Sequence, residues 1–277
     1  MPWNDPPVFL PMEGKARYYW IWPHPAGTLV GTTEREVSEC PRDPMPTRDE
    51  IVEILNRLKR DVPHAGLNED KLHYAYAGVR TLALEKGKDV SQVSRSHRWE
   101  YSNGVLSLIG GKFTTASFTA LDGLRKIVKL SGAKRELISL RGRKLPGSGI
   151  ESGVQLFREA ALKESVPASI VASTIRRFGS RASRILRFEK GLTIINNSVL
   201  SGEIDLVIEE EQAERIEDIL RRRLELEYQP FHGLETLDAV GDIMSKRSGG
   251  RDFTYEKKLY CDRISHIDEL LRRSLSL

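Results

Sequence analysis

The sequence predicts an α+β protein in two domains, residues 1–143 and residues 144–277. The first part holds alternating, β-branched and aromatic segments that are typical of strands, while three- and four-residue apolar spacing dominates after residue 152. Between them, RGRKLPGSGIESG at 141–153 has the glycine and proline content of an inter-domain linker. We therefore expect an antiparallel or mixed β-sheet with flanking helices, followed by an all-α domain.

Composition narrows the classes of function. Of the 277 residues, 39% are hydrophobic and 30% are charged, and no apolar run approaches the ~20 residues of a membrane span. Basic and acidic residues, 43 and 39, are interspersed, which argues against nucleic-acid binding. Cys40 and Cys261 match no metal-binding spacing, so no metal site or disulfide is expected. The first residues lack the pattern of a secretion signal, which predicts a cytoplasmic protein.

The first domain is predicted to begin with two paired strands, at 16–22 and 27–33. Thr47 and Glu50 form a capping-box pattern, and the amphipathic helix that it starts is expected to end near Val62. Further strands are expected at 73–80, 93–97 and 105–109. In the second domain, helical spacing covers 152–164, 167–178, 180–188, 204–226, 233–247 and 254–275, with acidic residues early and basic residues late in 204–226.

The stretch 105–130 is predicted to form a strand, a turn and a helix. Gly110 and Gly111 allow a tight turn, and hydroxyl side chains at Thr114, Thr115 and Ser117 are suited to cap the helix that follows. Its expected apolar face comprises Phe113, Phe118, Leu121, Leu124, Ile127, Val128 and Leu130. Two glycines, a lysine and a helix N-terminus together suit a bound anion. Without context, the same Gly-Gly-Lys is more typical of a plain connection with a solvated lysine.

Three cations are predicted to lie at the ends of successive strands: Arg80, Arg95 and Lys112. If they converge, the forked guanidinium groups and the ammonium suit a phosphate or a carboxylate. The alternative is that each cation pairs locally with a surface carboxylate.

In their order, several motifs resemble the C-terminal half of the FAD-dependent glycerol-3-phosphate dehydrogenases, which belong to the D-amino-acid-oxidase-like flavoproteins. The motifs are Gly31-Thr32-Thr33, Tyr76-Ala77-Gly78-Val79-Arg80, Val93-Ser94-Arg95-Ser96-His97, Ile109-Gly110-Gly111-Lys112-Phe113-Thr114-Thr115, Leu145-Pro146-Gly147 and Glu211-x-Ala213…Glu217-Asp218-x-Leu220-x-Arg222-Arg223. The resemblance runs from about Val8 to the C-terminus.

The resemblance implies oxidation of sn-glycerol 3-phosphate to dihydroxyacetone phosphate, with electrons passing through FAD to a quinone or another acceptor. It implies that Arg80, Arg95 and Lys112 bind the substrate and that Lys112 and Arg80 are catalytic. It implies flavin contacts from Gly110, Gly111, Lys112, Phe113, Thr114 and Thr115. The family's FAD-binding Rossmann core has no counterpart in this sequence, so the cofactor would be shared with a domain on another chain or segment.

Two departures from the family pattern put the substrate in question. Thr81 replaces the proline that usually follows the arginine, and Ala116-Ser117-Phe118 replaces the usual tyrosine and arginine after the second threonine. Two alternatives are therefore a related flavin oxidoreductase half with a different anionic substrate and a non-catalytic assembly module. Contact with the inner face of the membrane, and an oligomeric state, are left open.

Overall fold

A computed structural model describes residues 6–12, 18–65, 71–82, 96–134, 142–149, 155, 157, 166–186, 192–197 and 199–275. The chain divides into two compact units. The first comprises Met1–Thr33, Pro46–Ala75 and Lys144–Leu277, and the second comprises Glu34–Met45 and Tyr76–Arg143. The division into domains at residue 143 stays a prediction, because packing by itself does not test whether either part folds independently.

The first unit begins with a three-stranded antiparallel sheet in the order β1 (Val8–Pro11), β2 (Tyr18–His24) and β3 (Gly27–Gly31). Helix α1 (Arg48–Asp61) follows and begins where its capping box predicts, with Thr47 and Glu50 hydrogen-bonded in both directions. Val62 is its C-cap, in agreement with the expected end near Val62. The helix packs on the sheet because its apolar side faces the strands. The small core between them comprises Met12, Tyr19, Ile21 and Leu58, with Leu10, Val30 and Val62 beside it.

The helical part of the first unit contains five α-helices in the described ranges. They are α3 (Ala168–Phe178), α4 (Ala182–Leu186), α5 (Ser201–Glu211), α6 (Leu237–Arg247) and α7 (Thr254–Leu275). A short β-pair, β6 (Ile194–Ile195) with β7 (Val199–Leu200), precedes α5. The core here is extensive, and its fully buried members include Val171, Val199, Leu200, Ile204, Val207, Ile219, Leu220, Val240 and Ile267. None of the helices in these ranges is long and apolar enough to cross a membrane.

The second unit is built from one β-hairpin and one helix. Strands β4 (Arg98–Ser102) and β5 (Val105–Ile109) pair antiparallel, and α2 (Ala116–Ser131) follows β5 after a single turn of 3₁₀-helix at Phe113–Thr115. The expected strand–turn–helix is therefore present. The α+β class is confirmed, and no Rossmann core occurs in the described ranges.

Two expected elements differ from the structure. Residues 72–82 are irregular rather than a strand. The strand expected at 93–97 is not one of the two, since of its residues only Ser96 and His97 lie within the described part of the chain and it stays a prediction. The helix expected over 204–226 is broken after Glu211, because Gln212 adopts a left-handed conformation at φ 53° that ends α5. The basic run therefore belongs to a separate π-helical segment, Asp218–Arg223, and folds back to pair with acids of both segments, Arg223 with Glu211 and Arg222 with Asp218.

A buried carboxylate joins two helices of the core. Glu203 on α5 is fully buried and accepts hydrogen bonds from Thr174 Oγ1 at 2.6 Å and from Arg177 Nε at 2.7 Å, both on α3. A charged side chain is stable inside a protein only when its partners are in place, because removing one partner leaves the other charge buried and unpaired. Glu203 therefore fixes α5 against α3.

We expect Glu203→Ala to lower the free energy of unfolding by about 3–5 kcal/mol, because Arg177 would lose its buried partner. Urea unfolding followed by circular dichroism measures the change. Glu209→Ala is the matched control on the same helix, since Glu209 is exposed and pairs with Arg247 at the surface. Its expected loss is below about 1 kcal/mol. Equal losses for the two variants would show that the buried pair does not hold α5 in place.

Candidate functional site

The turn between β5 and α2 is shaped by its two glycines. Gly110 and Gly111 have φ angles of 72° and 104°, which side chains other than glycine adopt only with strain. A Cβ on Gly110 would lie 3.1 Å from the carbonyl oxygen of Ser96, and one on Gly111 would lie 3.5 Å from His97 Cβ. The glycines therefore let the chain entering β4 cross close beside the turn.

Beyond the glycines the turn projects outward. Lys112 is exposed, and Phe113 has 97% of its surface exposed. Among the described residues no carboxylate pairs with the Lys112 ammonium. The predicted hydroxyl caps are absent, since Thr115 is the N-cap of α2 without a side-chain cap bond and its Oγ1 instead donates to Lys112 O at 3.1 Å. A free cation and the positive end of a 16-residue helix thus lie together at an open surface.

Helix α2 is held on the hairpin by few contacts. Only Thr119 and Gly123 of this helix are buried. Gly123 is required there, because a Cβ would lie 2.6 Å from the indole ring of Trp99 on β4. The imidazole of His97 bridges to the same helix, with Nε2 3.1 Å from Asp122 Oδ2 and Nδ1 3.4 Å from Thr119 Oγ1. These contacts set where α2 begins, and hence where Lys112 lies.

The pKa of the Asp122 carboxyl lies below its usual 3.8, chiefly because His97 hydrogen-bonds to it, with the Lys126 charge also favouring the ionised form. The sequence analysis included His97 in a motif but did not identify its partner. The two residues are 25 positions apart, so only their tertiary packing brings them together.

Arg80 lies in the same unit as the turn, at the end of an irregular segment. Its Nη1 donates to Glu34 Oε1 at 2.6 Å, and about half of the Arg80 side chain is exposed. Glu34 directly follows the Gly31-Thr32-Thr33 motif. Within the described residues Arg80 has no other hydrogen-bond partner, so the Nε and Nη2 edge of its guanidinium is open. Arg80 therefore makes the local pairing with a carboxylate that the sequence analysis gave as the alternative to anion binding. This pairing uses only one end of the guanidinium group.

Arg95, the third predicted cation, lies outside the described residues. The expected convergence of Arg80, Arg95 and Lys112 on one anion therefore stays a prediction. Its immediate neighbours Ser96 and His97 do lie against Gly110 and Gly111.

A second polar cluster anchors the segment that leads to Arg80. Glu227, fully buried, accepts hydrogen bonds from Tyr74 and from Arg263 Nε, and its backbone carbonyl lies 2.9 Å from His232 Nδ1. Burial raises the pKa of the Tyr74 hydroxyl, and the hydrogen bond to Glu227 raises it further. Because Glu227 and Arg263 pair with each other inside the first unit, we interpret this cluster as structural, holding Tyr74, although Glu227 Oε2 and Arg263 Nη2 are buried without a hydrogen-bond partner among the described residues.

Comparisons with known proteins agree with these motifs. The family model for the C-terminal domain of alpha-glycerophosphate oxidase matches residues 127–252. The aerobic glycerol-3-phosphate dehydrogenase of Staphylococcus epidermidis is 26% identical over 255 residues, which cover 86% of this chain and 45% of that protein. The Bacillus subtilis enzyme of the same name is 28% identical over 253 residues, 83% of this chain and 45% of its own length. The predicted relationship is confirmed: this chain matches the C-terminal half of glycerol-3-phosphate dehydrogenases.

The relationship extends to a mitochondrial glycerol-3-phosphate dehydrogenase of Saccharomyces cerevisiae, 30% identical over 194 residues, 66% of this chain and 28% of that protein. The chain also has the fold of part of the glycerol-3-phosphate dehydrogenase from Bacillus halodurans, solved in complex with FAD. That match has a TM-score of 0.68 and 15% identity, and it covers 98% of this chain and 54% of the other. The matches thus span about half the length of the bacterial proteins and 28% of the yeast protein.

The contact between His97 and Asp122 should make the stability of the folded protein depend on pH in the acidic range. A lowered pKa means that the folded state binds the proton less tightly than the unfolded state, so the stabilisation is present above about pH 4 and is lost as the pH falls through the lowered value. We expect Asp122→Asn to be less stable at neutral pH and to lose less stability below about pH 4 than the wild type.

Thermal unfolding midpoints measured across this pH range test the expectation. Glu100→Gln is the matched control, since it removes an exposed carboxylate of the same unit that pairs with Arg98. The control should keep the wild-type profile. If the unfolding midpoint of Asp122→Asn changes with pH in parallel with that of the wild type, the Asp122 carboxylate does not stabilise the contact between α2 and the hairpin.

Proposed function

We propose that this chain forms the substrate-binding and flavin-contacting half of an FAD-dependent dehydrogenase that oxidises sn-glycerol 3-phosphate to dihydroxyacetone phosphate. Electrons would pass on to a quinone or another acceptor. The observation that carries the proposal is the open turn at Gly110-Gly111-Lys112. It brings backbone without side chains, a cation and a helix N-terminus together at one exposed surface, and the matched region makes up about half of the proteins it resembles.

The residues of the turn fit a flavin from one side. The two positive-φ glycines let a flat ring approach the backbone closely, and Phe113 and Thr114 are exposed beside them. When bound, FAD supplies the acceptor for a hydride from carbon 2 of the substrate. The N-terminal end of α2, together with Lys112, would stabilise negative charge that develops on the ring edge during reduction.

Arg80 supports recognition of the phosphate. A phosphomonoester carries nearly two negative charges at neutral pH, and a guanidinium edge with two N–H groups matches two of its oxygens. The bond to Glu34 occupies Nη1 and leaves that edge available. Because the Arg80 side chain is about half exposed, its pairing with Glu34 is screened by water and costs little to rearrange when a dianion binds. Arg95 is assigned to the same phosphate by the family pattern alone.

The start of α2 favours one variation on this proposal. Ala116, Ser117 and Phe118 are all exposed next to the turn, where the family pattern has a tyrosine and an arginine. This chain therefore presents fewer donors to the ligand at that point, which favours a substrate with fewer acceptors than glycerol 3-phosphate as the second candidate. The remaining alternative is a purely structural role as an assembly module. Reconstitution with FAD distinguishes it from both enzyme assignments.

The direct test is reconstitution. The chain is mixed with FAD and a chain from the same organism that carries a flavin-binding Rossmann domain ending in a lysine-glycine-x-histidine strand. We expect a yellow complex that reduces a quinone when glycerol 3-phosphate is added. A complex that forms and binds flavin but oxidises only another anionic alcohol favours the second candidate. Failure to bind flavin when both chains are folded contradicts both enzyme assignments and leaves the assembly module.

The proposed binding of the substrate phosphate by Arg80 can be tested separately. In the reconstituted enzyme, Arg80→Ala should raise KM for glycerol 3-phosphate roughly thirtyfold, because one charged phosphate contact is worth about 2 kcal/mol. KM for glycerol, which lacks the phosphate, should change little. Arg98→Ala is the matched control, since Arg98 is also a half-exposed arginine paired with one carboxylate in the same unit. If KM rises equally for glycerol 3-phosphate and for glycerol, Arg80 does not bind the phosphate.

A further inference from the structure

The ion pair between Glu34 and Arg80 joins two segments of the second unit that are distant in sequence. Glu34 Oε1 accepts a hydrogen bond from Arg80 Nη1 at 2.6 Å across 46 positions of the chain. The Glu34 side chain is 22% exposed, whereas that of Arg80 is 46% exposed. The carboxylate is therefore the more buried partner, and the guanidinium is the partner with more room to turn.

Another half-exposed arginine pair in the same unit shows the contrast. Arg98 Nη2 donates to Glu100 Oε1 at 2.7 Å, but these residues lie two positions apart on one strand, and the Glu100 side chain is 53% exposed. A pair of this kind forms locally and restrains neither side chain strongly. The Glu34–Arg80 pair depends instead on tertiary structure, and its acid has less than half that exposure.

We propose that Glu34 is a positioning residue, whose carboxylate holds the Arg80 guanidinium so that its Nε–Nη2 edge is presented to the substrate phosphate. This inference rests on the proposed function, and it adds a residue that does not itself touch the substrate. A guanidinium can bind an anion with two parallel bonds through its Nε–Nη2 edge or through its Nη1–Nη2 edge. The bond to Glu34 occupies Nη1, so it favours the first edge.

Preorganisation is the physical benefit of this contact. An arginine side chain has a large rotamer entropy, and much of that freedom is lost when the side chain binds a ligand. Residues 76–82 form no strand, so no ladder of backbone hydrogen bonds fixes the chain around Arg80. A carboxylate that already holds one end of the guanidinium removes part of this freedom before the phosphate binds.

The charge of Glu34 acts in the opposite direction. A carboxylate close to the phosphate repels it, so removing the charge alone should favour binding, although water screens the repulsion at a partly exposed site. Two substitutions separate the two effects. Glu34→Gln removes the charge and keeps an acceptor oxygen, whereas Glu34→Ala removes both. A difference between these variants therefore reports positioning and not charge.

Binding of inorganic phosphate to the chain alone tests the positioning. The Arg80 Nε–H signal in a nitrogen–proton NMR spectrum is assigned by its loss in Arg80→Ala, and it is followed as phosphate is added at constant ionic strength. We expect Glu34→Ala to bind phosphate about fivefold more weakly than Glu34→Gln, because the ligand must then immobilise a free arginine side chain. The backbone signals of the same spectra show whether each variant is folded.

Glu100→Ala is the matched control, since it removes the acid of the Arg98 pair and leaves Glu34 in place. It should not change the phosphate titration of the Arg80 signal. A second control places both substitutions of Glu34 in an Arg80→Ala background. If Glu34 acts only through Arg80, the two double variants should be equivalent.

Steady-state kinetics of the reconstituted enzyme give the second readout. KM for glycerol 3-phosphate should be about fivefold higher in Glu34→Ala than in Glu34→Gln, with the same kcat. KM for glycerol should be equal in the two variants, because glycerol has no phosphate for Arg80 to bind. A merely structural role of Glu34 would instead change the kinetics of both substrates.

Three results overturn the proposal: no shift of the Arg80 signal when phosphate is added to the wild type, equal phosphate affinity in the two Glu34 variants, and a difference between them that persists when Arg80 is alanine. The outcomes also separate this inference from the proposed function. If the wild-type complex oxidises glycerol 3-phosphate but the two variants bind phosphate equally, the enzyme assignment stands and the positioning role is wrong. If the variants differ through Arg80 but no alcohol is oxidised, the positioning role stands and the assigned reaction is wrong.

Discussion

The packing of Trp99 on Gly123 is the contact on which the candidate site depends. The turn with Lys112 is the link between β5 and α2, so its position is defined only as well as the helix is fixed to the hairpin. The indole ring can lie against the helix because residue 123 has no Cβ, and His97, two residues before Trp99, is hydrogen-bonded to the adjacent helix residue Asp122. A glycine and a histidine outside the turn thus determine where the turn presents its cation.

The two units differ in how completely they are packed. The helical part of the first unit has a continuous apolar core, and its buried carboxylates Glu203 and Glu227 both have partners. In the second unit α2 buries only Thr119 and Gly123. Since helices of this length are marginal in water without tertiary packing, the second unit is the part of the chain whose stability should rise most when a partner binds.

Local patterns in the sequence were sufficient where one segment determines its own structure. The capping box at Thr47 and Glu50 gave the start of α1, and the glycine pair at 110–111 gave the turn. Apolar periodicity also gave α2, but it could not show that the apolar side would be uncovered, because periodicity does not identify the neighbour that a face packs against.

Other features depend on contacts between distant segments and were missed for that reason. The helix expected over 204–226 is broken at Gln212, and the basic residues after it turn back toward Glu211. The strand expected at 73–80 is irregular, with Tyr74 held by the buried Glu227 instead of by a neighbouring strand. The pairing of Arg80 with Glu34 is of the same kind, since 46 residues separate them.

We propose that α2 and its turn form one side of a flavin site that an FAD-binding domain completes. Amide hydrogen exchange across residues 105–131, with and without the flavin-binding chain, tests this most directly because it reports packing and not catalysis. In the isolated chain we expect slow exchange only around Thr119 and Gly123, and in the complex we expect protection to spread along the whole of α2. Uniformly strong protection in the isolated chain, or no change when the complex forms, would contradict the claim.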